Sequence, residues 1–324
     1  MDHFKTVSSS PHIRSNVTTA SIMRDVCIAL LPALVCSVIY FGVRAAFITA
    51  LSVIFCVGFE FLWQKITKKE VTISDGTAVV TGMLLAFNLP VAVPWWIPLI
   101  GAFVAIIIAK QFFGGVGNNF INPALAGRAF LLASWPVLMT KWAAPFSTGF
   151  NVADVVSSAT PLAILKSPAA GTLPPVSDLF IGNIGGCIGE TSAIALLLGG
   201  AYLVFRNVIS LRIPVTYILT VAVLTFVFPS QGLSNINSML YNILGGGLML
   251  GAIFMATDYV TSPITKNGQL IMGLGCGILT FVIRRFGGYP EGVSYSILLM
   301  NVATPLIDRW TQPKTYGART ERRR

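Results

Sequence analysis

Ten runs of apolar residues fill most of this chain, near 26–41, 45–63, 77–89, 95–109, 123–138, 184–205, 213–228, 240–255, 269–283 and 293–307. A helix needs about 20 apolar residues to cross a hydrocarbon core, and several of these runs are shorter or are broken by Gly or Pro. Only helices and closed barrels satisfy their backbone in lipid, and runs of this length select helices. Composition agrees: 54% of the 324 residues are hydrophobic and 10% are charged, where soluble domains carry roughly 25% charged residues. The mean hydropathy is +0.76. The polar N-terminus lacks the shape of a cleavable signal.

The net charge of +10 is explained by orientation signals rather than by nucleic acid. With the N-terminus inside and ten spans threaded, the inner parts hold Lys5, Arg14, Arg24, Lys65, Lys68, Lys69, Lys110, Arg206, Arg212, Lys266, Arg309, Lys314, Arg319 and Arg322 to Arg324, sixteen in all. The outer loops hold Arg44, Lys141, Lys166, Arg284 and Arg285, five in all. Basic residues collect on the cytoplasmic side, so both termini are expected in the cytoplasm. The loop after the fifth run is then expected outside.

The two halves resemble each other. Gly82 to Asn88 is similar to Gly251 to Asp258, and Lys110-Gln-Phe-Phe-Gly-Gly115 is similar to Arg284-Arg-Phe-Gly-Gly288. Each half holds five runs, an odd number, so a second copy must run through the membrane inverted. The expected fold is all-α, polytopic, with about ten transmembrane helices in two inverted five-helix repeats with broken helices. The short third run, between Ser74-Asp75-Gly76-Thr77 and Asn88-Leu89-Pro90, reads as a half-helix. The expected divisions are an N-terminal arm (1–25), a first repeat (26–138), an extracytoplasmic loop (139–180), a second repeat (181–310) and a basic tail (311–324).

That loop contains Asp154-Val-Val-Ser-Ser-Ala-Thr160-Pro161. Thr160 precedes proline, which biases it to extended backbone, and an exposed, extended arm is expected there. The stretch resembles the flavin-attachment motif of redox membrane subunits, in which the last Thr is esterified through the phosphate of FMN. Asp154, Ser157, Ala159 and Thr160 match it. Ser158 stands where Gly is usual. The alternative is a polar loop of small residues. Ionisable groups in or beside the runs are functional candidates: Asp75, Arg128, Glu190 and Asp258. Each also has a structural role open to it, as a cap or as a partner for broken backbone. Cys27, Cys36, Cys56, Cys187 and Cys276 lack metal-ligand spacing, so no metal is assigned to this chain alone; a single Cys could join a cluster shared with a neighbour. His3 and His12 fall in the polar arm.

Five stretches, in order, carry a family resemblance: Ser10-Pro-His-Ile13, Asn122-Pro-Ala124, Ser157 to Pro161, Gly189-Glu-Thr-Ser192 and Ala256 to Pro263. The chain resembles the family that holds the D component of the Rnf complex, the bacterial ferredoxin:NAD oxidoreductase, and the B component of the sodium-pumping NADH:quinone oxidoreductase. The shorter N-terminus favours the former. The resemblance implies an electron-carrying subunit in the bacterial inner membrane, with covalent FMN on Thr160 and linkage to Na⁺ or H⁺ movement, Glu190 and Asp75 being the candidates for the ion. It implies the other Rnf subunits and a flavin transferase as partners. It also implies a second cofactor such as non-covalent riboflavin, for which Asn88, Asn122, Arg128 and Asp258 are candidates because they lie where the helices are expected to break. A channel or transporter with inverted repeats and no redox cofactor is the other function class that the sequence leaves open.

Overall fold

A computed structural model describes residues 17–146, 158–167, 172–230 and 232–313. Among these residues every regular element is helical. Helix α1 (Thr19–Phe41) begins with a capping box: Thr18 Oγ1 accepts from the Ser21 amide, and Ser21 Oγ accepts from the Thr18 amide. It therefore starts within residues 1–25. Asp25 is buried in the helix and pairs with Arg206 at 3.2 Å. Helix α2 (Val43–Ile66) returns after Gly42, whose φ of +71° is open to glycine at little cost.

The faces of these helices reveal their surroundings. The buried residues include Ala29, Ala33 and Ser37 on α1, and Ala45, Thr49, Ser52 and Glu60 on α2. Ile28, Leu31, Val35, Ile39, Phe47, Ile54 and Phe61 are exposed. Small and polar residues turn inward beside Leu30, Phe41 and Ile48, while many large apolar ones face outward, as in helices packed in lipid.

Helix α3 (Thr77–Phe87) has 11 residues, about 16 Å at 1.5 Å per residue, about half of a 30 Å hydrocarbon core. It stops at Asn88, ahead of Pro90, and the chain leaves as irregular backbone held by Arg44, which donates to the Val91 and Val93 carbonyls at 2.8 and 3.0 Å. Helix α4 (Trp96–Phe103) runs on into a π-helical turn, Val104–Gln111. Helix α5 (Pro123–Ser134) is capped by Asn122, and α6 (Pro136–Met139) follows a break at Trp135. Two short helices come next, α7 (Pro161–Lys166) and α8 (Val176–Ile181).

The sixth apolar run does not form a helix from residue 184. Residues 184–192 are buried irregular backbone, and α9 (Ala193–Phe205) begins only at Ser192's cap. The reason is local. Gly185, Gly186 and Gly189 disfavour helix, and the Ile188 and Gly189 amides donate to the carbonyls of Leu89 and Phe87, each at 3.0 Å. A Cβ on Gly189 would overlap the Phe87 ring. Non-helical backbone at membrane depth is tolerated where protein covers it.

Helix α10 (Arg212–Val227) leads to α11 (Asn235–Leu244) and α12 (Leu248–Leu250), which continues as a π-helical turn, Gly251–Met255. Helices α13 (Lys266–Phe286) and α14 (Val293–Thr311) complete the described chain. Three helices, α1, α2 and α13, are long and apolar enough to cross a membrane unaided; α11 with α12 and its π-turn, bent by 61°, makes a fourth. Among the described residues α3, α4, α5, α9 and α10 are shorter than a full crossing, and α14 has 19 residues, so the polytopic helical fold is formed with several short or broken elements.

The packing repeats between the halves. Helix α2 packs on α3 and α4, as α10 packs on α11 and α13; α1 packs on α9, and α5 on α14. The two broken elements meet end to end: Asn88 Nδ2 lies 3.6 Å from Met255 Sδ. Contacts define two faces. On the near face the start of α1 joins the end of α9 through Asp25–Arg206, and the Ile264 amide before α13 donates to Asp308 of α14 at 3.1 Å. On the far face the end of α1 meets 146 and 181, through the Phe146 amide on the Tyr40 carbonyl at 2.8 Å and Tyr40 Oη on the Ile181 carbonyl at 3.3 Å.

Candidate functional site

The near face holds a buried ion pair that sequence reasoning missed. Glu60 of α2 is fully buried, and Lys110 Nζ donates to its two oxygens at 2.9 and 2.8 Å. Gln111 Nε2 adds a bond to Glu60 at 3.0 Å, and Lys110 also donates to Thr77 Oγ1 at 2.8 Å. Thr77 in turn donates to Asp75 Oδ1 at 2.7 Å, and its amide does so at 2.8 Å. Asp75, one residue before the Gly76 cap position, thus accepts the first helical amide of α3. A usable signal for Glu60 existed, since it is a lone carboxylate inside an apolar run.

In the middle, Asn122 Nδ2 donates to the Met255 carbonyl at 3.3 Å while its Oδ1 caps α5. Asn88 Oδ1 accepts from Arg128 at 2.6 Å. Arg128 also contacts Glu291 and lies 3.7 Å from Cys187 Sγ. The four residues expected to share one pocket therefore divide. Asn88 and Arg128 turn to the far side. Asn122 and Asp258 line a mainly apolar near-face pocket of about 130 Å³ with Lys110 and Thr257. Burial raises the Asp258 carboxyl above its usual range, against the Thr261 hydroxyl and the Val260 amide.

The far-face cluster is different in kind. Thr160 has the expected extended backbone, φ −70° and ψ 152°. It is nevertheless buried, not exposed as expected: its Oγ1 accepts from the Ala163 amide at 3.2 Å as the cap of α7. Burial follows because Pro161, Leu162 and Ile164 turn inward and draw the cap in with them. Thr160 shares a small cavity with Glu190, Glu291, Gly185 and Gly246. Ser158 donates its amide to the Trp142 carbonyl at 2.9 Å. Its Oγ fits because residue 185, directly opposite, is glycine. Ala159 is half-buried between them; Asp154 and Ser157 lie outside the described residues.

Buried polar atoms without a partner concentrate here. Among the described residues they are Ser158 Oγ, Glu190 Oε2, Glu291 Oε1 and Arg284 Nε, with Trp63 Nε1 elsewhere. Such atoms are costly and point to missing groups. Cys187, Glu190 and Glu291 bring their sulfur and oxygen atoms within 4.8 Å of one another. Arg128 already supplies a cation against the same atoms. Burial pushes the Glu291 carboxyl up to about 7, with Arg128 opposing and Glu190 adding. Sequence reasoning gave Cys187, Arg284 and Glu291 no role. Only the repeat, which aligns Arg284 with Lys110, hinted at one of them.

Comparison with known proteins gives consistent findings. The NQR2, RnfD, RnfE family model matches residues 6–317. The chain is 54% identical over 315 residues to the D component of the Na⁺-translocating ferredoxin:NAD⁺ oxidoreductase complex of Acetobacterium woodii, covering 96% of this chain and 95% of that one. It is 46% identical over 322 residues to the D component of the proton-translocating ferredoxin:NAD⁺ oxidoreductase complex of Clostridium ljungdahlii, covering 97% and 96%. It is 39% identical over 332 residues to the D component of the ion-translocating oxidoreductase complex of Stutzerimonas stutzeri, covering 94% and 93%.

Proposed function

The chain belongs to the NQR2, RnfD, RnfE family, and we propose that it is the membrane-embedded electron-carrying subunit of an ion-translocating ferredoxin:NAD oxidoreductase complex, with FMN esterified through its phosphate to Thr160. The observation that carries the attachment is the position of Thr160 in the cavity where unpartnered polar atoms collect. The chemistry of the side chains suits the group, and the cavity, about 10 Å³ as this chain alone forms it, has to open to admit it. Thr160 Oγ1 acts only as an acceptor in its cap bond, and an ester keeps a lone pair for that bond while giving up the proton. Lys166, Arg284 and Arg285 stand beside the same helix and suit a phosphate in charge. When bound, FMN supplies the electron-transfer chemistry. Arg128, held by Asn88 and Glu291, is the donor available to a polar ring edge.

Glu190, with one buried oxygen lacking a partner, is the candidate for ion coupling; Asp75 serves as a helix cap. Two relatives name different ions, so relationship leaves the ion undecided. The reading places the near face and both termini in the cytoplasm of a bacterium, with the halves inverted across its inner membrane. It implies the other components of the complex and a flavin transferase as partners. A second, non-covalent flavin such as riboflavin does not fit the near-face pocket as this chain alone forms it. Its volume of about 130 Å³ is below the range of roughly 300–1,000 Å³ usual for such ligands, so a partner would have to supply a wall.

Thr160→Ala tests the attachment. The variant is expected to insert normally and to lose all flavin fluorescence on a denaturing gel. Fluorescence retained at the native level would place the anchor elsewhere.

A further inference from the structure

We propose that the cavity bounded by α7, α10, α11 and α13 at the far face is a binding site for a phosphate ester. Its volume is about 320 Å³, and its lining includes Lys166, Arg284, Arg285, Asn242 and Ser230. The three basic side chains are bonded to backbone carbonyls. Arg284 donates to the carbonyls of Asn242, Gly245 and Gly246 at 2.5, 3.2 and 3.1 Å. Arg285 donates to Pro229 at 3.3 Å, and Lys166 donates to Gly287. Carbonyls take donors but neutralise no charge. Among the described residues none of the three forms an ion pair; the three pairs present lie at Lys110, Arg128 and Arg206.

Arg284 supplies the independent sign of a ligand. It is only 9% exposed, and its Nε has no partner. That Nε is itself sealed from solvent, so a ligand would meet the guanidinium on the side that lines the cavity; guanidinium groups grip phosphate or carboxylate with parallel bonds. Three converging cations favour phosphate, which offers more acceptor oxygens than a carboxylate. The other half of the molecule provides a contrast. Lys110, the counterpart of Arg284, is paired directly with Glu60, whereas Arg284 lines the cavity without an ion pair, Glu291 and Glu190 acting on it only at longer range.

Two phosphate esters are available to such a site. One is the nucleotide phosphate on Thr160, a source that rests on the function proposed above. Leu162, two residues from Thr160, lines the cavity, and Gly246 borders the Thr160 cavity while giving its carbonyl to Arg284. The other is a phospholipid headgroup at the far face.

The test uses the full-length protein, nitrogen-labelled at arginine and purified in detergent, with phosphorus-induced dephasing of guanidinium signals as the readout in solid-state magnetic resonance. The native protein is expected to show dephasing. Arg284→Gln should abolish it, and Arg285→Gln should reduce it by half or more. Arg284→Gln strips three carbonyls of their donor, so Arg285→Gln, which frees only one, keeps the test valid if the first variant does not fold. Thr160→Ala separates the sources: loss of the signal assigns the phosphate to the nucleotide, and a signal that persists until lipid is stripped assigns it to phospholipid. No dephasing in a native protein that still carries fluorescent flavin overturns the pocket and leaves the Thr160 reading standing. Dephasing unchanged in Arg285→Gln also overturns it. Dephasing without any covalent flavin supports the pocket and overturns the other reading.

Discussion

Lys110 and Arg284 occupy matching places in the two halves, and their surroundings differ. Each is a buried cation near the end of a helical element, a few residues before a Gly-Gly pair, and each bonds its half's broken element, Lys110 at Thr77, the start of α3, and Arg284 at Gly246, in the break between α11 and α12. Lys110 is neutralised by Glu60, and among the described residues no fully buried side-chain oxygen or nitrogen of that network lacks a partner. Around Arg284 the bonds go to carbonyls, and four buried polar atoms within the far-face cluster lack partners. One position therefore serves as an internal strut in the first half and stands open to a ligand in the second. A satisfied buried network rigidifies, whereas an unsatisfied one is costly unless something completes it.

The largest effect is expected at the strut. Glu60→Leu leaves Lys110 as an unpaired buried cation, and removing one partner of a buried pair costs about 3–5 kcal/mol. Thermal unfolding in detergent should show a large fall in melting temperature and a poor yield of folded protein. An unchanged melting temperature would mean that Lys110 is not fixed by Glu60. At the open site, Glu190→Gln should alter stability by no more than about 1 kcal/mol, because a charged oxygen without a partner is replaced by a neutral group. If this variant is as damaging as Glu60→Leu, the contrast between the halves fails.

A separate effect is in pH. Glu291 has its carboxyl raised to about 7 in the folded chain, against a usual value of about 4.3 for Glu. The folded state then binds the proton more tightly than the unfolded state. Its stability declines as pH rises from about 4.3 towards 7 and levels off above that, by proton linkage. Glu291→Gln should flatten that slope in a series of melts, and a slope left intact would assign it to another group.

How far the sequence discloses this arrangement depends on how local each feature is. The half-helix α3 is legible because its cap, Asp75-Gly76-Thr77, and its stop, Asn88-Leu89-Pro90, lie in the chain itself. The repeat is legible because both copies keep their glycines in order. The stretch 184–192 reads as membrane helix because Ile and Cys count as apolar, yet its glycines and the carbonyls of Phe87 and Leu89 decide otherwise, and those carbonyls are about a hundred residues away in sequence. Glu60 is hidden by its neighbours, and its partner Lys110 passes for a loop residue at the end of an apolar run. Glu291, between Pro290 and Gly292, looks like a surface loop residue. The burial of Thr160 is invisible because extended backbone before proline fits an exposed arm as well as a capped, inward-turned one.

If the open far-face site is organised around a flavin nucleotide on Thr160, the nucleotide must travel with that residue when the chain is cut. Mass analysis of the peptide containing Asp154 to Leu162, released by protease from the native full-length chain, tests this most directly. The expected result is a peptide heavier by FMN less one water, with fragment ions that place the added mass on Thr160. An unmodified peptide from a chain that carries fluorescent flavin elsewhere, or from one with no covalent flavin in its native complex, would contradict it.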